Sequence, residues 1–313
     1  MRPRFALLIS LVLATVALTY AGSHFTFRLT PPVVHASLPH RSASYLGVYE
    51  KGTPPSYDAV ADFTNATGKQ PNLVGYFSGW AEPFAASFAD KLHSHGATPF
   101  VQIDPTLASV AGIAAGDYDP YLQSYADSVR EFGHQVVIGF GHEMNAPLYS
   151  WGYGNLPPGT FVAAWRHIIT LFRGQGADNV TWLWTINADR PGTGPIRSWW
   201  PGEQYVSWVG IDGYYYRSSD TFATVFGTTI DQVRKLTKKP VLLSETAVGP
   251  RAGQIAKIAN LFAGMRQYKT LGLVWFDKTQ DRGIYHQDWH IEDNFAAETE
   301  FELRAADLNL AHP

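Results

Sequence analysis

The chain alternates short apolar runs with longer amphipathic segments, and this alternation constrains its fold more than any other feature. After residue 44 there are eight runs rich in β-branched and aromatic residues, and each is almost continuously apolar. Strands of a parallel sheet that are buried on both faces have this pattern. We therefore predict eight strands, at residues 45–49, 73–77, 99–103, 135–140, 180–186, 206–211, 241–244 and 271–276.

The amphipathic segments between these runs predict helices, most clearly at residues 84–95, 118–132, 160–173, 221–236 and 254–268. Eight β units within about 270 residues match a (β/α)8 barrel in number and size. A doubly wound sheet would show the same alternation, but no G-x-G-x-x-G motif follows a run to support it. The prediction is a single α/β domain, a (β/α)8 TIM barrel, over residues 45–313.

The N-terminal segment has the pattern of an export signal. Arg2 and Arg4 precede an apolar stretch over residues 5–21, which ends in small residues. This order is typical of a signal peptide, but a stretch of about 17 residues is also long enough for an uncleaved membrane anchor. We expect residues 1–23 to be a signal peptide or an anchor and residues 24–44 to be a linker. The protein would then be secreted, or tethered to a membrane and facing outside.

Composition excludes several classes of function. The net charge of -3 gives no basic surface for nucleic acid, and the absence of cysteine excludes disulfides and thiolate catalysis. Aromatic residues make up 14% of the chain, and several lie in Gly-rich loops, where flat rings often line a ligand cleft. We expect a monomer without a cofactor, whose partner is a polysaccharide substrate.

Polar residues follow nearly every predicted strand, at the end where (β/α)8 barrels carry their chemistry. Glu143 follows the fourth run and Glu245 follows the seventh, so the two carboxylates would face one cleft from opposite walls. Cleavage of a glycosidic bond needs such a pair, with one carboxyl as proton donor and the other as nucleophile or base. The polar residues at this rim are Glu50, Ser78, Asp104, His142, Glu143, Asn187, Asp189, Asp212, Tyr214, Glu245 and Asp277.

His142 and Asn145 flank Glu143 and predict support for the catalytic pair. A histidine at this place can donate a hydrogen bond to the opposite carboxylate, and Asn145 could bind a sugar hydroxyl or orient Glu143. A zinc site of the H-E-x-x-H type would need histidine at position 146, which is Ala146. No serine lies in a G-x-S-x-G elbow, so acyl transfer has no candidate nucleophile. We expect no metal site.

These motifs resemble glycoside hydrolase family 26. The resemblance lies in residues 141–145 (GHEMN), 151–152 (WG), 200–214 (WPGEQYVSWVGIDGY), 244–245 (SE) and 274–276 (VWF). It implies a (β/α)8 barrel in which Glu143 is the proton donor and Glu245 the nucleophile of a retaining reaction. It also implies that His142 and Tyr214 hydrogen-bond the nucleophile. Further substrate-binding candidates are Trp275, as an aromatic platform under the sugar, and Asn145, Trp151, Asp212, Asp104 and Trp80.

Two departures from the family's mannanases concern the substrate. Residues 146–151 (APLYSW) replace the Gly and aromatic that commonly follow the motif, and Asp104 ends strand three without the mannanase His or Trp. The resemblance implies an endo-acting hydrolase of a β-linked hexose polymer, first β-1,4-mannan, with mixed-linkage β-1,3/1,4-glucan a close second. A carbohydrate-binding barrel without catalysis, or an anchored partner of a polysaccharide synthesis or export machine, would also fit these motifs.

Overall fold

Eight parallel strands close into a barrel in the computed structural model, which describes residues 37–250, 253–279 and 287–312. Each strand pairs with the next along the chain, and the eighth pairs with the first. The strands are β1 (Tyr45–Glu50), β2 (Leu73–Gly79), β3 (Thr98–Asp104), β4 (Val136–Phe140), β5 (Val180–Asn187), β6 (Trp208–Asp212), β7 (Val241–Thr246) and β8 (Gly272–Asp277).

Helices connect the strands and cover the outside of the barrel. Two helices follow β3, whereas only two short 3₁₀ turns, Ile196–Trp199 and Glu203–Tyr205, lie between β5 and β6. The helices are α1 (Asp58–Thr67), α2 (Ala86–Ser94), α3 (Val110–Ala115), α4 (Asp119–Phe132), α5 (Pro158–Gly174), α6 (Thr228–Leu236), α7 (Gln254–Gln267) and α8 (Phe295–Ala306).

The predicted (β/α)8 TIM barrel is confirmed, and every predicted strand begins and ends within two residues of the observed one. The segment predicted as one helix over residues 221–236 is divided into a π-helical turn, Ala223–Gly227, and α6. Helices α1, α3 and α8 were not among the segments that the sequence pattern indicated most clearly.

The barrel interior is packed with large rings. Tyr49, Phe100 and Trp208 are fully buried in it and belong to one apolar cluster with side chains from other strands. A Cβ on Gly75 would lie 2.5 Å from the Tyr49 ring, so only glycine leaves room for that ring on β2. The interior also contains a polar pair, since Gln102 donates to Thr185 across 2.9 Å.

The predicted signal peptide or anchor and most of the predicted linker lie outside the described residues. The described end of that linker, residues 37–44, contacts the base of the barrel. Leu38 is buried in the interior cluster, and the Tyr45 hydroxyl donates to the carbonyl of Pro39 across 2.8 Å. Within the described ranges, no helix combines the length and apolar character needed to cross a bilayer.

Candidate active site

Glu245 faces the mouth of the barrel because β7 is irregular at this point. The register of β7 shifts against β6 between Leu242 and Glu245, and against β8 between Leu243 and Thr246. Successive residues of a regular strand point to opposite faces, and a β-bulge changes this alternation. Ser244 donates to the interior carboxylate of Asp212 across 2.5 Å, yet the next residue, Glu245, is held by Tyr214 of the loop after β6. The bulge thus directs both side chains inward.

One oxygen of the Glu245 carboxylate is held and the other is not. The Tyr214 hydroxyl donates to Oε2 across 2.6 Å, whereas Oε1 is buried without a hydrogen-bond partner among the described residues. Burial and the charge of Glu143 raise the pKa of Glu245 to about 7, although His142, the Tyr214 hydrogen bond and Lys278 act in the opposite direction. A carboxylate with one fixed and one free oxygen is suited to attack an anomeric carbon.

Glu143 lies in the loop after β4, in a backbone conformation that non-glycine residues rarely adopt. Its φ is 54°, and its backbone N–H donates to the carbonyl of Thr185 on β5 across 3.0 Å. Such a conformation costs about 1–3 kcal/mol and persists where the surrounding structure imposes it, often at active sites. Gly141, two residues earlier, has the same φ of 54°. The loop turns sharply and brings a carboxylic acid to the rim with only 7% of its surface exposed.

Asn187 at the end of β5 is the hydrogen-bond partner of the Glu143 carboxylate. Its amide group donates to Oε1 of Glu143. Burial raises the pKa of Glu143, while the charges of His142 and Arg190 and the bond from Asn187 lower it. A proton donor needs such a raised pKa. The rim pattern included Asn187, but its contact with Glu143 depends on the loop after β4 and has no signal in the sequence.

Asn145 was expected to bind a sugar hydroxyl or to orient Glu143, and the structure places it against the end of β5. Its side chain is buried and forms two hydrogen bonds with the backbone of Asn187, donating to the carbonyl across 2.9 Å and accepting from the N–H across 2.8 Å. Both polar groups of the amide are therefore engaged within the protein. Asn145 fixes the end of β5, and through Asn187 it acts on Glu143 only indirectly.

His142 does not form the hydrogen bond to Glu245 that the resemblance implies, whereas Tyr214 does. Both nitrogens of the buried His142 ring have other partners: Nδ1 lies 2.8 Å from Oδ1 of Asp104, and Nε2 lies 2.9 Å from the Tyr149 hydroxyl. Asp104 at the end of β3, and not Glu245, is the partner of Nδ1. Its carboxylate, expected to bind substrate, is thus engaged by His142.

Trp275 was expected to lie under the sugar, but it faces away from the cleft. Val274 packs in the interior cluster, so the next residue of β8 points outward, and Trp275 packs against Phe301 of α8 with no exposed surface. Its indole N–H is shared between Asp277 Oδ1, at 3.1 Å, and the carbonyl of Trp289, at 3.0 Å. The inward aromatic residue of this strand is Phe276.

Two more of the predicted substrate contacts are also buried. Asp212 is 1% exposed, and burial with the charges of Glu245 and Glu143 raises its pKa well above the usual range. Trp151 is 2% exposed, donates to the carbonyl of His142 across 2.9 Å and so supports the loop. Trp80 after β2 is half-buried against Tyr118, Tyr121 and Phe140, and its contact with substrate stays a prediction.

A cluster of three rings and one cation lines the cleft beside Glu245. Phe276, Tyr49 and Phe77 surround the Nζ of Lys278, which lies 5.6 to 5.7 Å from the three ring centroids. The charge of Lys278 lowers the pKa of Glu245. Phe276 also meets the Tyr214 ring edge-on at 5.9 Å. This cluster was not predicted, because its side chains come from three separate segments of the chain, β1, β2 and the end of β8.

Two groups of side chains in the described part of the chain have a spacing that could hold a metal ion. Glu50, Asp277 and Glu292 form one group at the joined ends of β1 and β8. The second group, Asp288, His290 and Asp293, is mostly exposed. Neither contains a catalytic carboxylate, and acidic groups of this kind are common without a metal, so the expectation of no metal site stays a prediction.

The model of the family described as glycosyl hydrolase family 26 matches residues 89–302, which include both carboxylates and the loops around them. The chain belongs to glycosyl hydrolase family 26. This is a family of retaining glycosidases, and the predicted resemblance is confirmed.

Three curated proteins are distant relatives of the chain. Endoglucanase H of Acetivibrio thermocellus is 27% identical over 260 residues, which cover 78% of this chain and 28% of that protein. The β-1,3-xylanase TXYA of a Vibrio species is 26% identical over 177 residues, covering 52% and 37%. A β-1,3-xylanase of an Alcaligenes species is 24% identical over 178 residues, covering 52% and 36%. The chain thus spans only about a third of the length of these relatives.

Solved structures of the family share the fold. Bacillus subtilis mannanase man26 matches with a TM-score of 0.63 at 18% identity, over 83% of this chain and 85% of that one. A double mutant of the Cellulomonas fimi endo-β-1,4-mannanase matches with a TM-score of 0.64 at 18% identity, over 85% and 72%. At this identity the likeness concerns the barrel and leaves the substrate open.

Proposed function

We propose that the chain is a retaining endo-β-glycanase in which Glu143 is the acid/base and Glu245 the nucleophile. The observation that carries the proposal is the difference between their surroundings. The Tyr214 hydroxyl holds one oxygen of Glu245 and leaves the other free. Glu143 receives the Asn187 amide in a strained loop. Double displacement needs one carboxyl group as acid/base and another as nucleophile, and the two groups need different surroundings for these roles.

Within this class we propose a β-glucan as the preferred substrate, with β-1,4-mannan second. Strand β3 ends in Asp104 and lacks the His or Trp associated with the family's mannanases. The Asp104 carboxylate also engages His142, which therefore does not bond Glu245. The relative with the widest coverage of this chain is named an endoglucanase. The mannanase neighbours support only the fold. Endo action is proposed from the sequence, in which aromatic residues are spread over several loops.

Two other functions fit the sequence motifs: a carbohydrate-binding barrel without catalysis, and an anchored partner of a polysaccharide synthesis or export machine. A carbohydrate-binding barrel without catalysis has no use for a buried carboxylate whose second oxygen is free, so the contacts of Glu245 argue against it. An anchored partner of a polysaccharide synthesis or export machine would keep its N-terminal apolar segment. We propose export, and N-terminal analysis of the mature protein tests it: a start at residues 22–24 indicates cleavage, and an intact Met1 indicates an anchor.

Release of reducing ends from a panel of polysaccharides tests the activity and the substrate together. The panel contains barley β-glucan, glucomannan, galactomannan, laminarin and β-1,3-xylan. We expect the highest kcat/KM on mixed-linkage glucan. Faster cleavage of both mannans than of barley glucan would contradict β-glucan as the preferred substrate and favour β-1,4-mannan. If the folded protein cleaves none of these polymers, the proposed hydrolase activity is contradicted.

Azide rescue tests the assignment of the nucleophile. Glu245→Gly should lose nearly all activity, and added azide should restore turnover of an aryl β-glycoside with formation of the α-glycosyl azide. Glu203→Gln, which changes an exposed glutamate far from the cleft, is the matched control and should turn over normally. Full activity of Glu245→Gly, or a glycosyl azide with retained configuration, would contradict the assignment.

A further inference from the structure

We propose that Asp104, His142 and Tyr149 form a hydrogen-bonded relay that fixes the Tyr149 hydroxyl as a donor to the sugar at the cleavage point. The inference rests on the proposed function and adds a substrate-contacting residue to it. Its members come from two parts of the chain: Asp104 ends β3, whereas His142 and Tyr149 both lie in the loop after β4, which also carries Glu143.

The relay is continuous and its geometry is tight. Oδ1 of Asp104 lies 2.8 Å from Nδ1 of His142, and the other ring nitrogen lies 2.9 Å from the Tyr149 hydroxyl. The Tyr149 ring stacks on Trp151 with centroids 4.5 Å apart and planes 2° from parallel. Trp151 is anchored in turn by its bond to the His142 carbonyl. The hydroxyl therefore has a defined position at the edge of the cleft.

The direction of the hydrogen bonds depends on the protonation of His142. Burial alone lowers the pKa of this imidazole, but the charge and hydrogen bond of Asp104 outweigh it and raise the pKa to about 10, with help from Glu245 and Glu143. A protonated ring donates from both nitrogens, so Tyr149 must accept from Nε2. Its own O–H proton is then directed elsewhere.

No other acceptor for the Tyr149 proton lies within hydrogen-bonding distance in the described part of the chain. Tyr149 is half-buried, and burial together with the charges of Glu143 and Glu245 raises the pKa of its hydroxyl above the usual range. A half-buried donor without an acceptor, beside both catalytic carboxylates, is placed to meet a substrate oxygen. A donor fixed before the substrate arrives costs no reorganisation during the reaction.

Tyr149→Phe is the central variant, because it keeps the ring on Trp151 and removes only the hydroxyl. We expect kcat/KM on the preferred polysaccharide to fall about tenfold to a hundredfold, mainly in kcat, and the melting temperature to fall because Nε2–H of the buried His142 loses its acceptor. Tyr205→Phe, in the 3₁₀ turn before β6, is the matched control and should change neither quantity. Unchanged kinetics of Tyr149→Phe would overturn the proposal.

A measurement that does not depend on activity tests the relay itself. In ¹⁵N-histidine spectra, the signals that disappear in His142→Gln belong to His142. They should report a protonated ring through pH 8 in the wild type and in Tyr149→Phe, and a neutral ring at that pH in Asp104→Asn. A neutral His142 in the wild type would make Tyr149 the donor to Nε2 and overturn the proposal, even for an active enzyme.

The spectra and the kinetics separate this inference from the proposed function. If the wild type cleaves no polysaccharide and His142 is protonated, the relay exists and the failure belongs to the proposed function. If the wild type is active, a loss in Tyr149→Phe together with a protonated His142 supports the relay. A loss in melting temperature alone, without a loss in kcat, would reduce Tyr149 to a packing role and overturn the inference.

Discussion

Tyr214 donates its hydroxyl proton to Oε2 of Glu245 across 2.6 Å, and Oε1 of the same carboxylate has no partner among the described residues. The bond comes from the loop after β6 and reaches across the bulge in β7. It favours the ionised carboxylate, because a hydroxyl donates more strongly to a charged oxygen than to a neutral one. It also leaves a single oxygen for attack, so geometry and ionisation of Glu245 are controlled by the same contact.

Tyr214→Phe should slow hydrolysis and shift its pH dependence. The hydrogen bond lowers the pKa of Glu245, which burial raises to about 7, so its loss raises that pKa further. Glu245 must be ionised to attack, and activity is therefore lost as pH falls through its pKa. We expect kcat/KM to fall about tenfold or more at pH 7 and its acid limb to move upward by up to about one pH unit.

The measurement is a pH profile of kcat/KM for the wild type and Tyr214→Phe, with Tyr268→Phe at the end of α7 as a matched control. The control should keep the wild-type profile. An acid limb of Tyr214→Phe that stays in place would show that the bond has no influence on the ionisation of Glu245.

Asn187→Ala should impair the acid/base more than the nucleophile. Without the amide, Glu143 loses a bond that lowers its pKa and fixes its orientation. Protonation of the leaving oxygen matters most when the leaving group is poor. We expect a larger loss on polysaccharide than on an aryl glycoside with an activated leaving group. Asn309→Ala, an exposed asparagine near the C-terminus, is the control, and equal losses on both substrates would contradict a role through Glu143.

The architecture was predictable because all eight strands are buried on both faces, and burial on both faces requires an apolar run. The direction in which an individual side chain points could not be predicted from the same pattern. Residues 271–276 are almost uniformly apolar, so nothing in the sequence indicates which of Trp275 and Phe276 faces the cleft. Which residues of β8 face inward is set by its pairing with β1, where Val274 lies opposite Gly47 and points into the barrel.

The contacts made by the loop after β4 could not be predicted from the sequence either. Two residues with positive φ, Gly141 and Glu143, determine where this loop places His142. The position of Glu143 on the rim depends only on the end of a strand and could be predicted, whereas the partners of His142 depend on the path of the loop.

Removal of metal ions should leave hydrolysis intact. Two carboxyl groups carry out double displacement without a metal, and neither group with metal-ligand spacing in the described part of the chain includes Glu143 or Glu245. We expect equal kcat/KM before and after dialysis against EDTA. The melting temperature measured on the same samples reports any cation held at Glu50 and Asp277 for stability alone. Activity that disappears with EDTA and returns with added Ca²⁺ would show that a metal is needed for catalysis.

Trp275 and Phe276 should respond to substitution in opposite ways. Trp275 is fully buried against α8, and Trp275→Phe removes the N–H that bonds both Asp277 and Trp289. Each buried acceptor that loses its donor costs about 1–3 kcal/mol. We expect a lower melting temperature for this variant, with kcat unchanged at temperatures where it is folded.

Phe276→Leu keeps an apolar side chain of similar volume but removes the flat ring beside Lys278 and Tyr214. The ring lies in the wall of the cleft, so we expect a several-fold higher KM or lower kcat with little change in melting temperature. Thermal unfolding and steady-state kinetics of the two variants, measured side by side, decide the matter. If folded Trp275→Phe loses activity while Phe276→Leu keeps it, then Trp275 is the residue that meets the sugar and β8 presents the opposite face to the substrate.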